Sequence, residues 1–249
     1  RDSVDMMELF NLVPVHEAYR DGHWLMPTLN GLARLEKPPL PVWLPAGFAW
    51  LAGSDALWVL RLPSVLMALL ACLATYGMGC VLFRTGVDDT GSPRSGRRFA
   101  LMAAAILPAM LVFNREARLA SYDIFATGFL TAAAFFLLLL AERRGDTAVR
   151  GRRSRWGGWW GCVLAAGVAT GLSILSKGPV PAVTVMLPLG LWLLLYHRRW
   201  QVWAGVAVAG VVSIATFLPW LVAVGGFPGL IAAREPLAWH VWTTEFIQF

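Results

Sequence analysis

The chain has two lysines, Lys37 and Lys177; every other fixed positive charge is an arginine. Each lysine runs into a turn, "KPP" at 37–39 and "KGP" at 177–179. An ammonium beside a proline-stiffened turn is a good point-charge partner for a phosphate. The competing reading is a side chain that snorkels to a membrane surface beside an apolar segment. The acids supply the other half of a possible chemistry. Asp5 and Glu8 are three apart, so on a helix they share a face. Glu17 and Asp21 continue that amphipathic stretch, with a break expected at Pro14. A solvated helix face is the plainer account of all four. Asp123 follows "NREARLASY" at the mouth of an apolar run, where an acid is costly unless paired or wet. It is therefore a site candidate, with a salt bridge to Arg115 or Arg118 as the plainer reading.

Other chemistries find little support. His16, His23, His197 and His240 show no HExxH-type spacing, so no metal site is called. There is no GxSxG and no activating setting for a thiol. Cys72, Cys80 and Cys162 lie inside apolar runs and read as small buried hydrophobes. No Gly-rich loop of the GxGxxG or P-loop kind offers to hold a nucleotide.

The elements that must carry these residues are membrane elements. Of 249 residues, 57% are hydrophobic and 14% charged, against about 45–50% and about 25% in an average soluble domain. The net charge of +6 comes from short basic clusters between apolar runs, a pattern of membrane loops rather than of a nucleic-acid surface. A span needs about 20 apolar residues. Six stretches are expected to be spans: 57–83, 99–113, 124–141, 157–176, 180–196 and 202–225. Pro108 is expected to kink the second. Segment 40–53 is too short and proline-broken to cross, and reads as interfacial, with Trp43 and Trp50 at headgroup level.

Alternation of six spans puts the Arg-rich loops 84–98, 142–155 and 197–199 on one side, the cytoplasmic one by the positive-inside rule. Loop 84–98, mixing Gly, Ser and Pro with charge, reads as a plain connector. The outer side then receives residues 1–56, 114–123, 176–179 and everything after 225. The expected organisation is all-α: a first outer loop with interfacial helices over 1–56, a bundle over 57–225, and the start of a further outer loop over 226–249. The chain opens without an initiator Met and reads as a fragment of a longer membrane protein, with an earlier span expected before it.

Against this background "EAYRDGHWLMPTLNGLARLEKPPLPVWL" resembles the first outer loop of the C-type membrane glycosyltransferases, which use polyprenyl-phosphate-linked sugars. The likeness is to the bacterial aminoarabinose transferase branch, relatives of the protein O-mannosyltransferases. It rests on Gly22, Trp24, Pro27, Asn30 and Gly31, then Glu36, Lys37, Pro38, Pro39, Leu40 and Trp43. "REARLASYDIFATGFLTAA" looks like the family's next outer loop, and "GLSILSKGPVPAVTVMLPL" like its later K-G-P segment.

The resemblance implies a multi-span helical bundle roofed by juxtamembrane helices at an outer-face site, in a bacterial inner membrane with that site facing the periplasm. It implies transfer of a sugar from a polyprenyl-phosphate donor to a lipid or protein acceptor (lipid A, protein or envelope glycan). An acid would act as base while basic residues hold the departing phosphate. Lys37, Glu36, Arg118 and Lys177 are the expected substrate-binding set, and Glu8, Asp5 and Asp123 the catalytic candidates. No cofactor is called, and a metal requirement is left open.

One departure matters. The family carries Asp-Glu at the start of this loop, and its spacing, counted back from Gly22, lands on Met7 and Glu8. Methionine cannot take a proton. Asp5 or Glu8 substitutes, or Asp123 serves, or the protein binds lipid-linked sugar without transferring it; the Glu8/Asp5 pair is the favoured base. A transporter is the remaining alternative, disfavoured because the charges sit at span mouths rather than at the midplane and no repeat is visible.

Overall fold

A computed structural model describes residues 6–34, 37–85, 93–142, 152–196 and 200–225. The expected segment 226–249 lies outside the described residues. Helix α1 spans Met6–Asp21; a two-stranded antiparallel ribbon follows, β1 Thr28–Leu29 and β2 Leu32–Ala33. Then come α2 (Leu40–Ala52), α3 (Leu57–Thr85), α4 (Pro93–Ala109) and α5 (Leu111–Arg118). Helices α6 (Tyr122–Glu142), α7 (Arg152–Lys177), α8 (Pro179–Tyr196) and α9 (Trp200–Ala223) complete the described part.

Five helices are each long and apolar enough to cross a membrane: Leu57–Phe83 of α3, all of α6, Gly158–Lys177 of α7, α8 and α9. They match five of the six expected stretches. The sixth differs. Residues 96–118 form two helices bent by 67° at Met110, whose backbone is extended (φ −73°, ψ 125°). The break comes two residues after Pro108, which lacks the amide a helix needs, so α4 and α5 form one bent pair, kinked where the sequence places the proline. The polar run expected as a loop at 114–123 is helical through Arg118. Asn-Arg-Glu-Ala-Arg has good intrinsic helix propensity, which its charge conceals. The connector expected over 84–98 is likewise shorter: α3 runs to Thr85, and Pro93 starts α4, where proline fits a first helical turn.

The bundle is built around α6, whose buried residues include Ile124, Phe125, Leu130 and Leu137. Close approach depends on small residues. A Cβ added at Gly128 would lie 2.8 Å from the Met67 carbonyl of α3. On α7, Gly167 and Gly171 are four apart and face α9, where a Cβ at Gly171 would meet Thr216 at 2.5 Å and the Ser213 carbonyl at 2.8 Å. Small-xxx-small spacing of this kind lets apolar helices approach backbone to backbone.

Helices α1 and α2 cover one end of the bundle. Leu12, Val15 and Ala18 of α1 pack with Val42, Ala46 and Ala49 of α2, Leu60 of α3 and Ala120. Pro14, the expected break, is instead buried inside a continuous α1. Segment 40–53 forms one short helix, closed by Gly53 in the left-handed region at φ 61°. Trp50 is exposed, as an interfacial residue would be. Trp43 differs from expectation: it turns inward beside Leu40, Leu175 and Trp220, and its Nε1–H donates to the Trp24 carbonyl at 2.5 Å. The ribbon is also an addition to the all-α reading. Asn30 (φ 54°) and Gly31 (φ 77°) form its turn, and Asn-Gly is the pair best suited to two successive left-handed residues.

Candidate functional site

The ends of α6 and α7 meet under α1 and α2. Ser121 opens α6, its hydroxyl accepting the Asp123 backbone N–H at 3.2 Å and donating to Glu116 of α5. This fixes Tyr122 and Asp123 in the first turn of α6. Lys177 is the last residue of α7. Gly178 follows in the left-handed region (φ 84°), its N–H closing the helix on the Ile174 carbonyl at 2.8 Å, and Pro179 starts α8. The "KGP" run is thus a helix stop and restart, with the lysine at the negative end of a helix dipole.

Lys177 Nζ forms an ion pair with Asp123 Oδ1. The carboxylate stays half-exposed. Asp123 follows Tyr122, whose ring lies beside the Lys37 ammonium, so the two lysines, distant in sequence, stand at one site. Lys37 is positioned from the other side. Pro38 and Pro39 are buried, and the Pro39 carbonyl accepts the N–H groups of Val42 and Trp43 at 2.9 Å each, starting α2. The Lys37 ammonium sits 5.4 Å from the centre of the Tyr122 ring. Arg34, buried, reaches the same ring at 5.9 Å and donates to the Phe10 carbonyl of α1.

Arg34 is delivered by the ribbon. Its N–H bonds the Pro27 carbonyl at 2.7 Å. Glu17 of α1 holds the ribbon by accepting the Thr28 hydroxyl and, at 3.3 Å, the Gly31 N–H. His23 completes the cluster, with Nδ1 2.9 Å from Thr28 Oγ1.

Glu8, expected as base, lies elsewhere. Its side chain has no exposed surface, and Arg61 of α3 grips it with two hydrogen bonds of 2.7 and 2.6 Å. The Ala120 N–H adds a third at 3.0 Å. Both oxygens are engaged and no acceptor can approach them, so in this arrangement Glu8 braces α1 to α3 and to the start of α6. Asp5 and Glu36 lie outside the described residues. Arg118 is exposed on the last turn of α5, and the ion-pair partner of Asp123 is Lys177. Among the described residues no three His, Cys, Asp or Glu side chains gather closely enough to hold a metal ion.

Three participants escape a reading of residue types: Arg34, Tyr122 and Glu116. The signal for Tyr122 is its place beside Asp123 in "SYD"; for Arg34, its place three residues before Lys37. Glu116 carries no local signal that separates it from a solvated helix acid.

Comparison with known proteins supplies the context. The family model described as dolichyl-phosphate-mannose-protein mannosyltransferase matches residues 36–222. An undecaprenyl phosphate-alpha-4-amino-4-deoxy-L-arabinose arabinosyl transferase from Yersinia enterocolitica is 27% identical over 244 residues, which cover 94% of this chain and 37% of the relative. One of the same description from Pseudomonas paraeruginosa is 30% identical over 207 residues, 82% of this chain and 33% of the relative. The chain thus spans less than two-fifths of the length of these curated relatives. The crystal structure of ArnT from Cupriavidus metallidurans in the apo state shares the fold, with a TM-score of 0.62 at 24% identity, covering 92% of this chain and 37% of that one. The same protein bound to undecaprenyl phosphate aligns with a TM-score of 0.63, covering 95% and 38%. The chain is an integral membrane protein with a polytopic helical fold. With the model matched across most of its length, it belongs to the dolichyl-phosphate-mannose-protein mannosyltransferase family.

Proposed function

We propose that this chain carries part of the active site of a membrane glycosyltransferase, which moves a sugar from a polyprenyl-phosphate donor to an acceptor hydroxyl or phosphate. The carrying observation is the convergence of Lys37, Lys177 and Asp123 around the start of α6, Lys37 against the Tyr122 ring and Lys177 paired with Asp123. Two ammonium groups held at one site, beside a half-exposed carboxylate, suit a phosphate that must leave with its charge. Relatives named as arabinosyl transferases acting from undecaprenyl phosphate favour an aminosugar on a long-chain polyprenyl phosphate.

In this reading the acceptor oxygen attacks the anomeric carbon, the bond from that carbon to the phosphate oxygen breaks, and the acceptor proton passes to a carboxylate. Asp123 is the base, because it is the described candidate carboxylate with open surface. Positioned base help is worth about 10²–10⁴ in rate, and electrostatic stabilisation of the leaving phosphate by Lys37 and Lys177 is the larger contribution. The apolar faces of α2 and the bundle accommodate the lipid tail. The site end faces the periplasm of a bacterial inner membrane, a reading supported by the Arg-rich composition of the sequence between alternate spans.

The test is transfer of label from a radiolabelled undecaprenyl-phosphate sugar pool by the protein in membranes. Transfer by wild type, lost in Lys37→Ala and in Lys177→Ala, is the expected result. Undiminished transfer in both variants would remove the reading. Donor binding without transfer to any acceptor would instead leave a lipid-linked-sugar binding protein.

A further inference from the structure

We infer that Tyr122 is a positioning residue of the donor-phosphate site, holding Lys37 and Arg34 against its ring without itself neutralising either cation. The inference rests on the donor reading above and extends it to a residue that acts through the cations it holds.

Three cations stand at this end of the bundle, and they are held in two different ways. Lys177 is paired with a carboxylate, Asp123. Lys37 and Arg34 have no carboxylate within ion-pair distance among the described residues; what they share is the Tyr122 ring, at 5.4 and 5.9 Å. Both distances fall within the roughly 6 Å at which a ring quadrupole attracts a cation. Tyr122 is 6% exposed, so the interaction is largely shielded from water. Its position is set at the start of α6, where Ser121 caps the Asp123 N–H.

The physical distinction matters for anion binding. A carboxylate that positions a lysine also cancels its charge and competes with the incoming phosphate. An aromatic face positions the same lysine and leaves its net charge intact. It also offsets the mutual repulsion that would drive Lys37 away from Arg34 and Lys177. The prolines fix the backbone of Lys37, but its four-carbon stem needs a second point of reference, and the ring supplies one. A contact of this kind shifts an equilibrium by roughly two- to thirtyfold.

The test measures binding of undecaprenyl phosphate to the protein in nanodiscs. Tyr122→Phe keeps the ring and should bind within about twofold of wild type. Tyr122→Leu should weaken binding about tenfold, and its effect should shrink in a Lys37→Ala background, because the two act through one contact. A series with progressively fluorinated phenylalanine at 122 preserves shape while draining the ring face of negative charge, and should raise Kd stepwise. A flat fluorination series, or a Tyr122→Leu loss of equal size with and without Lys37, would overturn the inference and leave Tyr122 as packing. If Lys37→Ala itself binds undecaprenyl phosphate as wild type does, the donor reading fails first and the inference falls with it.

Discussion

Asp123 and Glu8 are both carboxylates near the start of α6, and their surroundings assign them opposite work. Glu8 is buried and accepts from Arg61 and from the Ala120 N–H, and losing charge-assisted hydrogen bonds of this kind costs about 1.5–3 kcal/mol. Glu8→Gln should therefore lower the unfolding midpoint in detergent or nanodiscs substantially, and Glu8→Gln with Arg61→Met should recover part of the loss. A Glu8→Gln protein of wild-type stability that has lost transfer would return Glu8 to the role of base. Asp123→Asn should behave the other way round. It leaves the fold intact, lowers transfer by about 10²–10⁴, and frees Lys177 from its partner. Binding of undecaprenyl phosphate should then be unchanged or tighter. Weaker binding on removal of this negative charge would mean that the ion pair builds the phosphate site rather than restrains it.

The helices are held by two devices of different kind. Inside the bundle, Gly171 of α7 lies against the Ser213 carbonyl and Thr216 of α9, so a methyl group there has backbone to displace. Gly171→Ala should destabilise by about 1–3 kcal/mol, whereas Gly161→Ala, with no atom within 4 Å of the added carbon, should be neutral or stabilising through helix propensity. Thermal unfolding of the two variants side by side checks this; equal behaviour would show that α7 and α9 do not depend on that approach. At the surface, α1 is tied to the α2–α3 turn by Arg20 and Asp55. The hydrogen bond from Arg20 holds the Asp55 carboxyl below the usual carboxylate range, with His16 3.4 Å away adding a weaker pull. A depressed carboxylate contributes stability above its unfolded pKa of about 3.9 and loses it as pH falls through the lower folded value. Asp55→Asn should therefore flatten the acid side of the stability profile below about pH 4 and change little at neutral pH, since an exposed pair is worth little there. An unchanged acid slope would mean that the pair is not maintained in solution.

How much of this was legible in the sequence follows from how far each feature depends on distant residues. The spans were readable because apolar length is a local property, and five of them stand where hydropathy put them. Lys37 and Lys177 stood out by residue type alone. The Asn30–Gly31 turn is also written locally, as a hairpin pair, although a two-stranded ribbon runs against the helical character of the rest of the chain. The bend in the second stretch is legible too, since Pro108 marks it locally, but its size and the helix that continues beyond it to Arg118 are not. The seat of Glu8 could not be read at all. Its partners lie 53 and 112 positions away, so no spacing rule separates a buried brace from an open base. The same holds for Tyr122, which meets Lys37 only after α2 folds over the bundle end.

The orientation of the molecule rests on loop charge, and it is the reading on which the location of the site depends. Lys37, Lys177 and Asp123 lie at the end carrying α1 and α2, while exposed Arg97 and Arg98 lie in the first turns of α4 near the opposite end. In a background lacking Cys72, Cys80 and Cys162, a cysteine at exposed Asp21 should react with a membrane-impermeant maleimide on intact spheroplasts. A cysteine at Arg98 should react only after permeabilisation. The assignment is not trivial, because each basic loop is short and the positive-inside rule acts through such loops in concert. The reverse labelling pattern would place Lys37, Lys177 and Asp123 on the cytoplasmic face. A transferase working from that side would need its lipid-linked donor before, rather than after, the donor crosses the bilayer. Labelling of both positions on intact cells would instead break the alternation, and the bent α4–α5 pair would then be re-entrant rather than a sixth crossing.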